Sequence, residues 1–282
     1  MTEGKYEVQT FKEDWEGVPI HGFWSLVENP RASILLIHGF GEHSGRYLKE
    51  VAPFFNRHGF SVLGFDLIGH GKSGGKRGHC QGYQQLMGLT KKGYHKLRSR
   101  YPELPLLLYG HSMGGNLALN FVLRGFGKPE GVIASSPYLR LAFNPPAWKW
   151  KLGKLLSRIA PSATVPSGLD PAGISRDPEE VLKYKADPLI HDKVSPTFSF
   201  PVIEAGEWAI QNAHNLDVPT LILHGTADPI IDPHGSRDFH AGATSTHLEL
   251  LEDGYHELHH DLERERYFEA MHIWLESHTF KV

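Results

Sequence analysis

A serine, an aspartate and a histidine occur in this order along the chain, each directly after a short apolar run. Ser112 lies in GHSMGG, residues 110–115, which fits G-x-S-x-G between the run LPLLLY and a helical pattern. Asp228 follows PTLILHG, and His256 follows THLELLE with a short turn between. A histidine that accepts the serine proton, and a carboxylate that orients the histidine, make serine a nucleophile. The order and the strand-end positions predict a Ser112–Asp228–His256 triad, with Asp232 as the alternative carboxylate.

Attack by such a serine on an ester leaves a negative oxygen, which needs N–H donors held in place beforehand. One candidate is the N–H of Met113, at the start of the helix behind Ser112, where amides lack partners within the helix. HGFG, residues 38–41, follows the apolar run ASILLI, the position of the HG-type loop of esterases. We therefore expect the N–H groups of Phe40 and Met113 to form an oxyanion hole.

The segment around His256 also carries a competing pattern. Residues 256–260 read H-E-L-H-H and match H-E-x-x-H, in which two histidines one helical turn apart bind zinc and the glutamate acts as base. A zinc site needs both histidines on one helix, whereas Gly254-Tyr255 predicts a turn just before His256. The chain lacks the H-E-x-x-H-x-x-G-x-x-H extension, and Glu276 is only a distant third ligand. We expect His256 to be the base of the triad, with no metal and no cofactor.

The composition of the chain argues against several classes of protein. The chain has 282 residues, of which 40% are hydrophobic and 22% charged, and its net charge is −3. The single cysteine, Cys80, excludes an intramolecular disulfide. The net charge gives no argument for a nucleic-acid partner. The start lacks the apolar stretch of a signal peptide, and no run approaches the roughly 18 apolar residues of a membrane span. We expect a cytoplasmic protein.

Apolar runs bounded by glycine alternate with amphipathic stretches along most of the chain. Nearly continuous apolar runs are typical of parallel strands that are covered on both faces. The alternation predicts an α/β fold, a mostly parallel sheet with helices on both faces. The G-x-S-x-G turn and the order Ser, Asp, His are typical of the α/β-hydrolase type of this fold. The predicted strands are 32–39, 60–67, 104–110, 131–137, 219–225 and 246–252, the helices are 46–58, 83–100, 114–125 and 261–277, and 5–12 with 20–27 form an antiparallel entry to the sheet.

The alternation breaks in a proline-rich stretch, residues 138–215, which we call the cap region. It predicts short helices and loops inserted into a core formed by residues 1–137 and 216–282. Residues 147–160, AWKWKLGKLLSRIA, form an amphipathic helix pattern. Such a helix suits peripheral contact with a membrane, but Gly153 and the short length favour packing over a cavity. Its apolar face holds Trp148, Leu152, Leu155, Leu156 and Ile159, and its basic face holds Lys149, Lys151, Lys154 and Arg158.

The chain carries five longer motifs: HGFGEHSGRY (38–47), GHSMGG (110–115), DPLI (187–190), HGTADPIID (224–232) and GYHELHH (254–260). Together they resemble the monoacylglycerol lipases and related lysophospholipase-like hydrolases, over nearly the whole chain. The resemblance implies hydrolysis of a monoacylglycerol to fatty acid and glycerol without metal or cofactor, by the triad and oxyanion donors named above. It also implies a polar pocket for the glycerol, lined by Glu42, Arg46, His111, Tyr184 and His259.

Three alternatives stay open at this point. A lysophospholipase or a short-chain carboxylesterase would use the same chemistry on another small-molecule ester. A ligand-binding protein of the same fold would be inert, although such a protein is expected to lack part of the triad. The residues do not specify the acyl chain, the oligomeric state or whether the cap region touches a membrane.

Overall fold

The computed structural model describes residues 6–143 and 147–278, with the side chains at 147–150, 152 and 154 left out. These residues contain ten strands and eight α-helices, and every strand and helix predicted for the core occurs in the predicted order, whereas the helix Pro233–Gly242 was not predicted. The strands are β1 Tyr6–Trp15, β2 Val18–Val27, β3 Ala32–Ile37, β4 Phe60–Phe65, β5 Leu106–His111, β6 Gly131–Ser135, β7 Val165–Pro166, β8 Lys193–Val194, β9 Thr220–Gly225 and β10 Thr246–Leu251. The helices are α1 Val51–Arg57, α2 Tyr83–Arg100, α3 Met113–Leu123, α4 Ala147–Ile159, α5 Pro178–Ala186, α6 Pro196–Gln211, α7 Pro233–Gly242 and α8 Arg264–Ser277.

Eight strands form one sheet in the order β1-β2-β4-β3-β5-β6-β9-β10. Strands β1 and β2 pair antiparallel, β2 pairs antiparallel with β4, and all the other neighbours are parallel. Every residue of β3, β4, β5, β6 and β9 is buried, as expected for parallel strands with helices on both faces. The predicted α/β-hydrolase fold is confirmed, including the antiparallel entry.

The core has two layers because strand side chains alternate between the faces of the sheet. Leu35 and Ile37 of β3 pack into the layer beneath α2, α3 and α6. Ile34 and Leu36 pack into the opposite layer, beneath α1 and α8. With both faces covered, the carboxyl ends of the parallel strands are left as the edge where functional side chains can gather.

Two predicted helices have different bounds for local reasons. The stretch 46–58 divides into a 3₁₀ turn, Ser44–Leu48, and α1, because the Ser44 N–H and hydroxyl both donate to Asp66 Oδ1 and hold the turn. The stretch 261–277 begins only at Arg264, after a 3₁₀ turn Leu258–His260. There the Asp261 carboxylate accepts hydrogen bonds from the Tyr255 and Arg176 N–H groups, which delays the helix.

The cap region lies between β6 and β9 and contains α4, α5, α6 and the exposed two-residue pair β7–β8. Helix α6 has 16 residues and is longer than the short helices that the proline content predicts. Pro196 occupies the first turn, where its missing N–H costs nothing. Pro201 removes a single hydrogen bond near the start of the helix. None of the described helices is long and apolar enough to cross a membrane.

Candidate active site

The nucleophile candidate sits in the tight turn between β5 and α3. Ser112 has φ 53° and ψ −115°, a strained conformation for a residue other than glycine. Its N–H donates to Ser135 and its carbonyl accepts from Tyr138, so neighbouring backbone holds the strain in place. Gly114 is required because a methyl group there would clash with the carbonyl of Ile37. These contacts present the Ser112 side chain at the carboxyl edge of the sheet.

The aspartate and histidine candidates meet across the loops that follow β9 and β10. His256 Nδ1 lies 2.7 Å from Asp228 Oδ2. The other carboxylate oxygen accepts the N–H groups of Ile230 at 2.8 Å and Ile231 at 3.0 Å. His224 Nε2 lies 3.2 Å from Oδ2. The carboxylate is thus held by four donors, and His256 takes the tautomer with its proton on Nδ1 and Nε2 free to accept.

Electrostatics keep this pair in the charge state that a base needs. Burial opposes ionisation of Asp228, but His256 and His224 outweigh it and hold the pKa of the carboxyl well below its usual range. Burial also disfavours the charged form of His256, yet Asp228 raises the pKa of His256 above its ordinary value. An ionised carboxylate that stabilises the imidazolium is what proton transfer from a serine requires. Asp232, the alternative carboxylate, instead caps α7 by accepting the His234 N–H.

Ser112 and His256 line one cavity of about 680 Å³. No hydrogen bond joins Ser112 Oγ to His256 within residues 6–143 and 147–278. Catalytic hydrogen bonds of this kind often tighten only when substrate is bound.

The proposed oxyanion donors line the same cavity. Both Phe40 and Met113 border it, and neither amide donates to another described residue. His38 holds the Phe40 amide in place, because its Nδ1 donates to the Gly39 carbonyl at 2.7 Å while its Nε2 accepts from Leu67 at 2.9 Å. The Gly39 carbonyl and the Phe40 N–H belong to one planar peptide group. Holding the carbonyl therefore orients the N–H.

The cavity is apolar over most of its length and polar at one end. The polar end includes Glu42, His111, Tyr184 and Glu257. The apolar part is shared by the core and the cap region, and its larger side chains include Tyr138, Leu141, Phe143, Leu156, Ile174, Ile190, Phe198, Phe200, Val202, Ile203, Ile230 and Ile231. A long apolar chamber with a small polar end suits an amphiphile with one alkyl chain.

A buried ion cluster lies at the polar end. Arg46 donates from Nη1 to Glu42 Oε2 at 2.7 Å and to Glu257 Oε1 at 2.6 Å, and from Nη2 to Glu257 Oε2 at 2.6 Å. The other oxygen of Glu42 accepts from the Gly39 N–H and the Tyr47 hydroxyl. His260 Nδ1 lies 2.9 Å from Glu257 Oε2. Two carboxylates share one guanidinium, so the three side chains Glu42, Arg46 and Glu257 carry a net charge of about −1.

The cluster sets the protonation of its members. Burial raises the pKa values of Glu42 and Glu257, but the Arg46 charge outweighs burial and holds both below the usual range. Burial and the charge of His256 lower the pKa of His111 to about 4. The polar wall therefore presents ionised carboxylates beside a neutral imidazole at neutral pH.

Of the five predicted glycerol contacts, His259 and Arg46 lie outside the residues that line the cavity. His259 is fully buried, and its ring stacks on Tyr47 with centroids 5.1 Å apart. Neither ring nitrogen of His259 has a hydrogen-bond partner among the described residues. Arg46 lies behind the two carboxylates. Both residues support the polar wall from behind, whereas Glu42, His111 and Tyr184 are on it as predicted.

The H-E-x-x-H segment does not form the helix of a zinc protease. Glu257 has φ −91° and ψ 72°, outside the helical region, and the ring of His256 turns to Asp228. Among the described residues, Glu257, His259 and His260 do place ligand-type atoms within 4.8 Å of one another. Both oxygens of that glutamate already bind Arg46, so the guanidinium holds the position that a cation would take.

Comparison with known proteins now decides the family. Residues 28–263 match the family model described as serine aminopeptidase, S33.

The chain belongs to this family.

The relatives point more narrowly to one group of α/β hydrolases. The hydrolase is 31% identical to the monoacylglycerol lipase of Mycolicibacterium smegmatis, over 92% of its own length and 93% of the relative's. It is 31% identical to human monoglyceride lipase, over 91% and 86% of the two chains. It is 35% identical to an abhydrolase domain-containing protein of Dictyostelium discoideum, but spans only 27% of that protein's length.

Solved structures agree. The monoacylglycerol lipase of Paleococcus ferrophilus shares 34% identity at a TM-score of 0.81, over 98% of this chain and 100% of that one. The monoglyceride lipase of Saccharomyces cerevisiae has a TM-score of 0.85 over 99% and 97% of the two chains, and at 24% identity it supports the fold alone. The hydrolase is thus a serine hydrolase and a monoacylglycerol-lipase-like α/β hydrolase, as the sequence resemblance predicted.

Sequence reasoning missed two parts of this site. It treated Glu257 only as the base of a zinc site, although the residue lies on the cavity wall beside His256. It also gave no role to Asp187 or His191 of the cap region, which line the cavity as well. The DPLI motif that contains Asp187 was the available signal.

Proposed function

We propose that the hydrolase cleaves a monoacylglycerol to a free fatty acid and glycerol through an acyl-serine intermediate. His256 Nε2 accepts the Ser112 proton as Oγ attacks the ester carbonyl. The oxyanion accepts the N–H groups of Phe40 and Met113, each worth about 3–4 kcal/mol of transition-state stabilisation. His256 returns the proton to the leaving glycerol oxygen. Water then attacks the acyl-serine by the same route, which releases the fatty acid and restores Ser112.

One observation carries the choice of head group. Glu42 Oε2 and Glu257 Oε1 bind the same nitrogen of Arg46, at 2.7 and 2.6 Å, so they lie close together on the cavity wall. Each oxygen accepts one hydrogen bond there, and a carboxylate oxygen can accept about two. The wall can therefore take two more donors, side by side. The two hydroxyl groups of an acylglycerol supply such a pair, whereas a phosphate offers negative charge to two carboxylates.

The family description raises an aminopeptidase as a rival activity. The net charge of about −1 on the polar cluster does not distinguish a pair of hydroxyl groups from an ammonium group. The mostly apolar lining of the cavity, which suits an alkyl chain, favours the ester.

A substrate panel with one acyl chain tests the proposal. We expect 1-acylglycerol to be the best substrate and the 3-hydroxypropyl and ethyl esters to be slower. A lost hydrogen bond to a charged acceptor is worth about 1.5–3 kcal/mol, or about 10- to 150-fold in kcat/KM. Lysophosphatidylcholine, p-nitrophenyl butyrate and an aminoacyl p-nitroanilide test the rival activities. Equal turnover of the glycerol and ethyl esters, or faster turnover of a rival substrate, would contradict the assignment.

We further propose peripheral membrane contact through α4. Leu155 is 53% and Ile159 69% exposed, whereas Leu156 lines the cavity. Some apolar residues of this helix therefore face solvent, while another faces the cavity. Lys151 and Arg158 are exposed nearby. Trp148, Leu152, Lys149 and Lys154 lie outside the described side chains. Leu155→Ser with Ile159→Ser should abolish sedimentation with anionic vesicles without changing turnover of a soluble ester, and wild-type sedimentation of this variant would refute the contact.

The cytoplasmic location stays a prediction.

A further inference from the structure

The loop that carries Phe40, residues 38–43, is held by the core on one side and by the cap region on the other. On the core side, His38 Nε2 accepts the Leu67 N–H at 2.9 Å, while its Nδ1 bonds the Gly39 carbonyl within the loop. On the cap side, the His191 N–H donates to the Gly41 carbonyl at 2.8 Å. A second link joins the end of the loop to the cap region, where His43 Nε2 lies 2.9 Å from Asp187 Oδ2.

The contact with the cap region brackets Phe40 itself. The Phe40 ring packs edge-on against His191 with centroids 5.7 Å apart, and against Phe198 at 5.2 Å. Gly41 has φ +78°, and a methyl group there would come within 2.6 Å of the His191 carbonyl oxygen. Loop and cap region therefore meet backbone to backbone, with the side chain of Phe40 enclosed between them.

Asp187 organises the cap side of this contact. Its Oδ1 accepts the Leu189 N–H at 2.9 Å, and its carbonyl accepts the Ile190 N–H. These bonds close a turn that delivers His191 to Gly41. The Oδ2 atom of the same carboxylate holds His43. One side chain thus shapes the turn and ties it to the loop.

We infer that Asp187 is a positioning residue, through which the seated cap region holds the Phe40 N–H in the oxyanion hole. The inference rests on the proposed role of Phe40 as an oxyanion donor and extends it to the cap region. The cavity is enclosed partly by the cap region, so an incoming lipid must pass it. Any movement of the segment 187–191 away from the core breaks the bonds at Gly41 and His43.

Asp187→Ala tests this, because the side chain is partly exposed and lies at the edge of the cavity, so its loss leaves the core intact. A displacement of reacting groups by about 1 Å can cost about 10²-fold in rate. We expect a fall in kcat of about 10- to 100-fold on p-nitrophenyl butyrate, with KM changed less than about threefold. Asp187→Asn keeps neutral hydrogen bonds to Leu189 and His43 and should recover most of the rate. Gly41→Ala pushes the cap region from the loop without altering Asp187 and should reproduce the loss.

The binding of two ligands distinguishes a positioning role of Asp187 from a general change in the shape of the cavity. An alkyl trifluoromethyl ketone forms an oxyanion on Ser112, so Asp187→Ala should weaken it by the same factor as kcat. A 1-O-alkylglycerol has no carbonyl, so Asp187→Ala should bind it with the same affinity as the wild type. The matched control is Asp238→Ala, which removes another bond between cap region and core, to Arg140 Nη1 at 2.7 Å, far from Phe40 in the chain.

The outcomes are distinct. A kcat for Asp187→Ala within threefold of Asp238→Ala overturns the positioning role. So does equal weakening of the ketone and the alkylglycerol, which would assign Asp187 to cavity shape alone. Failure of the proposed function looks different, since it would show in the unmodified protein as equal turnover of the glycerol and ethyl esters or as faster turnover of a rival substrate.

Discussion

The triad assignment can be tested by one matched pair of substitutions, Asp228→Asn and Asp232→Asn. In Asp228→Asn the side-chain oxygen is expected to stay with the N–H groups of Ile230 and Ile231, because both donate to Oδ1 at 2.8 and 3.0 Å. The new amide nitrogen then faces His256 Nδ1, to which it can only donate. His256 must shift its proton to Nε2, the atom that should accept the proton of Ser112.

The expected loss of activity follows from this tautomer, in which His256 Nε2 carries the proton. The corresponding substitution in a serine protease triad lowers kcat by about 10⁴, which is about 5.5 kcal/mol of barrier. The pH dependence should change as well. Asp228 raises the pKa of His256, and the neutral imidazole is the base, so wild-type activity rises with pH through that pKa. Without the carboxylate, burial is opposed only by the smaller effects of the Glu257 and Glu42 charges on the pKa of His256. The residual activity should then reach its plateau at a lower pH than that of the wild type.

The control changes the same atoms at the other candidate acid. Asp232 accepts the His234 N–H at 2.9 Å as the cap of α7, and asparagine is nearly as good a cap. Asp232→Asn should therefore retain kcat/KM within about twofold. Steady-state kinetics of both variants from pH 5 to 9 on a p-nitrophenyl ester give the answer. Activity of Asp228→Asn above about 1% of wild type, or collapse of Asp232→Asn, would refute the triad as assigned.

The remaining predictions concern single residues around the same site. Ser112→Ala should abolish turnover and fluorophosphonate labelling with an unchanged circular dichroism spectrum, and surviving turnover would remove Ser112 as nucleophile. His259→Phe should alter KM for monoacylglycerol and for a p-nitrophenyl ester alike, because His259 is buried behind the wall; a selective rise for monoacylglycerol would restore it as a glycerol contact. Glu257→Ala should lower the free energy of unfolding by about 1.5–3 kcal/mol, since it removes charge-assisted hydrogen bonds to buried Arg46 while Glu42 still compensates the Arg46 charge. His260→Ala should keep kcat within about threefold and EDTA should have no effect, whereas loss of activity in both cases would revive the zinc site.

The fold was predictable from local pattern. The runs ASILLI and LPLLLY are typical of strands buried on both faces, and the glycines that end them mark the edge where Ser112 and His38 emerge. Periodicity located α2 and α8, since each buries one face, whereas α3, in which Met113–Val122 are all buried, follows from the strand–helix alternation. What local pattern could not show is the division of 46–58, because the bond that holds the 3₁₀ turn comes from Asp66 on another loop.

The placement of the proposed triad residues was predictable for a related reason. Its three residues are carried by rigid strand ends, so their order along the chain and their distance from the strands specify their meeting point. Glu42, His111 and Tyr184 could be inferred only by resemblance. Burial of Arg46 depends on Glu257, 211 residues further along the chain, and no periodicity links positions so far apart.

The H-E-x-x-H match shows where sequence reasoning reaches its limit. The same five residues are compatible with a metal helix or with a base followed by a buried ion pair, and the difference is whether a cation meets Glu257. Here the cation is Arg46, which lies in the 3₁₀ turn directly after the loop that carries Phe40. Because Glu42 binds both Arg46 and the Gly39 N–H, the head-group wall and the oxyanion loop are one bonded unit. A substitution in the wall is therefore expected to affect kcat as well as KM. Variants such as Asp187→Ala, which change the contact on the opposite side of the loop, are needed to assign the two effects to separate residues.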